Sequence, residues 1–342
     1  MSEAPDASPS KEKVVDRISV RVADVRGLLA HIIDTIPLPV RKALRRVLSA
    51  AFFVAIGIVL YRQLSGLDWA EVLRSVPRSP WFYLLFLARY FSLPIADTLS
   101  YSAVWATNLF RYFGAFLMKR LLNSSISAGS GDVYLLLWSV RTLRVTYRQA
   151  FMAAKDVTLL SAASSNAVAV IILGAYLAFG DLSLMEAVHP GVLGAIIGVT
   201  ILTAILSLLV VRFRGKVLGV SAPVMWRILG YHGVRSGSRL LLLGLQWTVG
   251  VPGSSFSDWL GLLIVDLLVS RTPLIPSREF LFLTLALGLA DTIHAPEVQV
   301  TATLLTDTAL MQIGAVGSLL TGVLWRSKPH PLPQSPDSGE SG

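Results

Sequence analysis

Five ionisable side chains stand where this sequence is otherwise apolar. Arg89 lies within WFYLLFLARYFSLP, Asp156 within AAKDVTLL and Asp307 within LLTDTALM. Asp132 and Glu279 each head an apolar run, VYLLLW and FLFLTLALGL. Charged groups in hydrocarbon are costly, so they face a bundle interior, pair with one another, or line a path for a polar substrate. Two of the acids follow turn-forming groups: Gly129-Ser130-Gly131 precedes Asp132, and Pro276-Ser277-Arg278 precedes Glu279. An acid there has two readings. It caps or opens a helix, which alone explains its type, or it lines a cavity and meets a substrate.

The remaining charges have similar alternatives. Arg89 precedes Asp97 by eight residues, close enough to share a helix face, with Pro94 between them. It pairs with that acid, meets a phosphate, or snorkels to the interface. Asp156, Asp266 and Asp307 are expected to face a bundle interior, unless Asp266 simply lies near an interface. Lys155 is not expected to pair with Asp156, because helix residues one apart diverge. Ser161, Ser164, Ser165 and Asn166 read first as glue between helices.

Signals for enzyme chemistry are poor. The histidines (31, 189, 232, 294 and 330) are scattered, with neither an HExxH pair nor a GxSxG elbow. The GSGD turn lacks the lysine of a phosphate-binding P-loop. The chain has no cysteine, which excludes thiolate chemistry, disulfides and Cys-based metal sites. No catalytic residue, cofactor or metal site is therefore indicated.

The elements that position these charges are membrane helices. Of 342 residues, 54% are hydrophobic and 15% charged, against about 25% charged in a soluble domain. Mean hydropathy is +0.64. The net charge of +9 comes from basic residues clustered beside apolar segments. That is the positive-inside pattern of membrane proteins, and no nucleic-acid recognition module accompanies it.

Charge alternation orders the spans. Arg41, Lys42, Arg45 and Arg46 place the N-terminus inside, before a first run over 47–61. A second span starts near Trp81, a third covers 151–179 and a fourth 191–211. Arg141, Arg144 and Arg148 mark an inside loop, so the segment 111–138 is expected to enter and leave on one side or to cross an even number of times. The basic stretch 212–239 reads as an inside loop. Apolar pieces follow at 240–251, 259–269 and 280–290, and a last span at 298–325. The sum is about eight crossings with both termini cytoplasmic. The short pieces are crossings only with flanking residues; otherwise they are broken or re-entrant helices lining a cavity. Domain boundaries follow: 1–45 a cytoplasmic tail and amphipathic helix, 46–326 the transmembrane domain, 327–342 a disordered cytoplasmic tail.

A repeat is visible. SAGSGDVYLLLW is echoed by PLIPSREFLFLT, each a turn, an acid and an apolar run, and each is followed by a span with a further acid, Asp156 or Asp307. Paired units with broken helices are how repeat-built transporters are made. NSSISAGSGDVYLLLWSVR, QAFMAAKDVTLL and PLIPSREFLFLTLALGL resemble the signatures of the lysylphosphatidylglycerol synthase transmembrane region, the flippase-like family. The first turn lacks the family's proline, and Ser277-Arg278 stand where glycines are usual. Lys155-Asp156 replaces an acid-Arg pair. The resemblance implies an all-α transmembrane bundle in a bacterial cytoplasmic membrane. It implies binding or translocation of a lipid or lipid-linked headgroup, with Asn123, Asp132, Asp156, Glu279, Asp307 and Arg89 as the candidate residues. The expected partners are membrane lipids, either anionic phospholipid or lipid-linked sugar, with a separate transferase as a further one. The alternatives are a membrane-embedded lipid transferase and a non-catalytic scaffold for a separate glycosyl- or aminoacyl-transferase.

Overall fold

In the computed structural model, the described residues are 58, 61, 65, 68–125, 129–179, 190–271, 278–288 and 295–324. The expected first span at 47–61, the amphipathic N-terminal helix and the C-terminal tail lie outside them, apart from single positions. Among the described residues all regular structure is helical: α1 (Trp69–Arg74), α2 (Pro80–Val104), α3 (Phe113–Ser125), α4 (Ser130–Thr142), α5 (Tyr147–Phe179), α6 (Pro190–Arg212), α7 (Ala222–Gly250), α8 (Leu260–Arg271), α9 (Arg278–Gly288) and α10 (Glu297–Leu324). Among the described residues three helices are long and apolar enough to cross a membrane, α2, α5 over Tyr147–Tyr176 and α10 over Glu297–Thr321. This is a helical membrane protein.

One expected loop is a helix. The basic stretch 212–239 and the apolar piece 240–251 are mostly a single element, α7, of 29 residues. Three of its polar residues are buried rather than solvated: His232, Ser236 and Gln246 all lie in the interior. Buried polar groups lower the hydropathy of a core helix, and charge counting then takes it for a loop.

Side-chain contacts give the helix directions. Along α2, Arg89 meets Gln246 and Asp97 faces His232, so α2 and α7 run antiparallel. Asp156 meets Gly219 just before α7, and Ser165 meets Ser236, so α5 and α7 run parallel. Arg89 pairs with Asp307 and Tyr90 with Ser318, while Gln246 also reaches Asp307. A Cβ on Gly250 would meet both Thr303 and Phe82, which completes the order: α10 runs with α2 and against α7.

The result is an inverted repeat. The first unit is α2, a 3-10 turn at Phe110–Tyr112, the short helices α3 and α4, then α5. The second is α7, a 3-10 turn at Ser257–Trp259, the short helices α8 and α9, then α10. The outer helices of the two units point in opposite directions. The short pairs therefore enter from opposite faces. Helices α3 and α4 have 13 residues each, and α8 and α9 have 12 and 11. These lengths of about 17–20 Å fall short of a ~30 Å hydrocarbon core. Two hydrophobic clusters lie in the two halves, one around Trp247, Trp259 and Leu283 and one around Tyr101, Phe116 and Ile228.

Candidate functional site

The turn 129–131 is built for close approach. Gly129 has φ +93°, a left-handed conformation that glycine adopts freely. A Cβ on Gly131 would lie 2.0 Å from the carbonyl oxygen of Lys119. Helix α4 thus starts against the backbone of α3, and only glycine fits. Asn123 closes the turn: its Oδ1 accepts from the N–H of Gly131 at 2.7 Å and of Gly129 at 3.1 Å. Ser130 Oγ donates to Leu122 O at 2.7 Å.

Asp132 is not the cap of α4; that position is Gly129. Its carboxylate lies in the first turn, where the helix dipole favours an anion, and reaches across the hairpin. Lys119 Nζ lies 3.2 Å from Oδ1, Thr158 Oγ1 donates to the same oxygen at 3.3 Å, and Asn123 Nδ2 donates to Oδ2 at 3.4 Å. Thr158 is the twelfth residue of α5, which puts the site about 17 Å along that helix.

Lys119 is the hub. Its Nζ also lies 3.1 Å from Asp97 Oδ2 and 5.2 Å from the centre of the Tyr101 ring. Asp97 Oδ1 faces His232 Nε2 at 3.8 Å, and His232 Nδ1 bonds Ser161 Oγ at 3.1 Å. The chain Ser161–His232–Asp97–Lys119–Asp132 thus joins α5, α7, α2, α3 and α4. Among its three charged residues Asp132 is the most exposed, with 23% of its side chain against 7% for Lys119 and 5% for Asp97.

A second charged group sits between α2, α7 and α10. Arg89 pairs with Asp307, and its Nε donates to Gln246 Oε1 at 3.2 Å. Gln246 Nε2 donates to Asp307 Oδ1 at 3.0 Å. Arg89 therefore does not snorkel, and it does not pair with Asp97. Eight residues along a helix separate them by about 12 Å, and each finds a partner on a different helix.

Further along, Arg239 holds Asp266 by two contacts, at 3.0 and 2.8 Å. This pair is the charge-reversed counterpart of Asp97–Lys119. Asp97 and Arg239 are each the eighteenth residue of their helices, α2 and α7. Lys119 and Asp266 are each the seventh, of α3 and α8. The repeat thus extends to its ion pairs.

Asp156 has a different position from Asp132. Its Oδ2 accepts from the N–H of Gly219 at 2.8 Å and of Val220 at 3.1 Å, and its Oδ1 lies 3.1 Å from Lys155 Nζ. The adjacent pair does form, against expectation. The long lysine chain curls back while also donating to Val217 O, so both side chains grip the loop before α7. Glu279 is the second residue of α9; its side chain lies outside the described residues. Ser164 and Ser165 bind α5 to α7, and Asn166 binds it to α6, as glue should.

Lys119, His232 and Gln246 escaped sequence reasoning. Lys119 was legible only as one of two adjacent cations, with Arg120, in the apolar run FGAFLMKRLL. Neither a family model nor any curated protein or solved structure matches this chain. The arrangement is therefore read from its own geometry.

Proposed function

We propose that this chain binds or translocates a lipid or lipid-linked headgroup between membrane leaflets, in the manner of a flippase. The observation that carries the reading is the inverted repeat, with two short-helix pairs entering from opposite faces and a charged cluster at the tip of the first. A headgroup entering bare hydrocarbon is unpaired and meets a large desolvation cost. A partly exposed carboxylate, backed by buried partners, offers an alternative to that cost. The candidate set is Asn123, Asp132, Glu279, Arg89 and Asp307, with Asp156 holding the loop before α7.

In this reading the about eight apolar passes become about six crossings and two re-entrant pairs. The face where α2 ends and α5 begins carries Arg141, Arg144, Arg148, Arg212, Arg214 and Lys216, and is cytoplasmic in a bacterial inner membrane, with both termini on that side. Membrane lipids are the partners, and a separate transferase a further one. A transferase within this chain would need a carboxylate and basic groups around a cytoplasmic cleft. The hollow of about 430 Å³ at that face is lined by Thr146, Arg148, Gln149, Met152 and Gly219, with no carboxylate among them.

The test uses Asp132→Asn and Glu279→Gln in proteoliposomes. Both are expected to lose lipid movement while folded protein in the membrane is unchanged. Wild-type movement in both overturns the reading.

A further inference from the structure

Arg120 follows Lys119 on α3, and consecutive helix residues point apart. Lys119 turns to Asp97 and Asp132, whereas Arg120 turns to Tyr90 on α2 and Met311 on α10. Its Nη1 donates to the carbonyl oxygen of Tyr90 at 2.9 Å. That carbonyl is spare, because Pro94 stands four residues on and has no N–H to offer it. Its Nη2 lies 3.9 Å from Met311 Sδ, a weak acceptor. The guanidinium also sits over the Tyr90 ring, 4.1 Å from its centre. The ring is itself held, by a hydroxyl contact to Ser318 and by Gly314, where a Cβ would come within 2.6 Å of it.

Packing explains these contacts and not the charge. Filling the gap at Pro94 takes one neutral N–H. A guanidinium brings five donors and a full positive charge. Among the described residues no carboxylate and no further acceptor meets it. Arg89 is balanced by Asp307, Arg239 by Asp266, and Lys119 by two acids. Arg89 and Arg239 both repel Arg120. Met311 is the fifteenth of the 28 residues of α10, so the extra charge lies near the middle of a helix long enough to cross a membrane. A cation held there without a counter-ion is costly.

We propose that Arg120 is a binding residue for a phosphate group. Its remaining N–H groups form a planar fork that suits two oxygens of one phosphate. The Tyr90 ring and carbonyl fix the plane of that fork. The phosphate belongs to a lipid headgroup reaching the α3–α10 side of the bundle, or to a free ion. The lipid case rests on the proposed function and adds a second contact to it. The site is separate from Asp132: the residues that anchor the two on α2, Tyr90 and Asp97, are about 10 Å apart along the helix.

The test compares fluorescent phosphatidylglycerol with diacylglycerol of the same tails, which lacks the phosphate. Binding is measured to the full chain in nonionic detergent. Wild type is expected to hold phosphatidylglycerol at least about tenfold more tightly, the measure of one charge-assisted hydrogen bond. The preference is expected to vanish in Arg120→Gln and to survive in Arg144→Gln, which removes an exposed arginine. Met311→Glu supplies a counter-ion from within the chain and is expected to abolish the preference, while Met311→Gln keeps it. A loosened fold would weaken both lipids alike and leave their ratio unchanged. Inorganic phosphate without lipid is the second probe. A rise in thermal midpoint that Arg120→Gln removes, without a lipid preference, would assign the site to the free ion. The proposal is overturned if neither probe has an effect, or if the lipid preference outlives Arg120→Gln or Met311→Glu. If Arg120→Gln fails to fold, Met311→Glu against Met311→Gln decides. Lipid movement is read in separate vesicles, so its failure and the failure of this site are told apart.

Discussion

Lys119 on α3 and Asp97 on α2 form a buried ion pair 3.1 Å apart, and the pair recurs with its charges exchanged as Asp266 on α8 and Arg239 on α7. Each short-helix pair is thus pinned to the long helix that begins its own unit. The pin at Lys119 is the more deeply buried, with 7% and 5% of the side chains exposed, against 31% and 14% at Arg239 and Asp266.

Removing one member of a buried pair strands the other charge. Lys119→Met leaves Asp97 and Asp132 facing each other without a cation. A loss of about 3–5 kcal/mol is expected, read as a lowered midpoint in thermal unfolding of the detergent-solubilised protein. The double variant Lys119→Met with Asp97→Leu is expected to recover a large part of it. Asp266→Asn is expected to cost clearly less than Lys119→Met, because solvent screens the more exposed pair.

The hairpin turn makes two glycines unequal. Gly131→Ala places a Cβ against the Lys119 carbonyl, where backbone cannot yield. Folded protein in the membrane is expected to fall sharply, as judged by monodisperse elution in size-exclusion chromatography. Gly129→Ala meets no neighbour within 4 Å. It bears only the left-handed backbone cost of about 1–2 kcal/mol, and is expected to fold.

Asp156 should behave as a structural latch. Asp156→Asn keeps an oxygen for the N–H groups of Gly219 and Val220 and is expected to be mild. Asp156→Leu leaves two backbone donors without their acceptor, at about 1–3 kcal/mol each if they stay buried. Hydrogen exchange at 217–221 is expected to accelerate in Asp156→Leu and not in Asp156→Asn. Equal rates in the two variants would contradict the latch.

The absence of cysteine makes the topology directly measurable. Single cysteines at Arg111 and Arg144 flank the α3–α4 pair. Both are expected to react with a membrane-impermeant maleimide from the cytoplasmic side only. A cysteine at Ser255 is expected to react from the other side. Labelling of 111 and 144 from opposite sides would mean that the pair crosses the membrane an odd number of times.

The sequence made most of the helices legible and hid the first half of α7, since the apolar pieces at 259–269 and 280–290 also fell on α8 and α9. Apolar runs located α2, α5, α6 and α10 to within a few residues, because those helices bear broad apolar faces. Residues 222–239 of α7 read as a loop because this helix carries polar groups, His232 and Ser236 among them, into the interior. The turn-acid echo at Asp132 and Glu279 did mark the starts of α4 and α9. The partners of those charges were not legible. Asp97–Lys119, Arg89–Asp307 and Arg239–Asp266 join residues on different helices, and helix spacing reports only neighbours on one helix. The Arg89–Asp97 pair, one of three readings left open, and the dismissed Lys155–Asp156 pair erred for that reason: one ignored partners across the bundle, the other ignored the reach of a lysine drawn to a crossing loop.

The central claim is lipid movement, and leaflet distribution in proteoliposomes tests it most directly. Fluorescent phospholipids and lipid-linked sugars would be followed in vesicles with and without the purified protein. The account predicts that at least one of these lipids equilibrates between leaflets faster when the protein is present, and that Asp132→Asn removes the gain. Equal rates with and without protein, for every lipid tested, would contradict it.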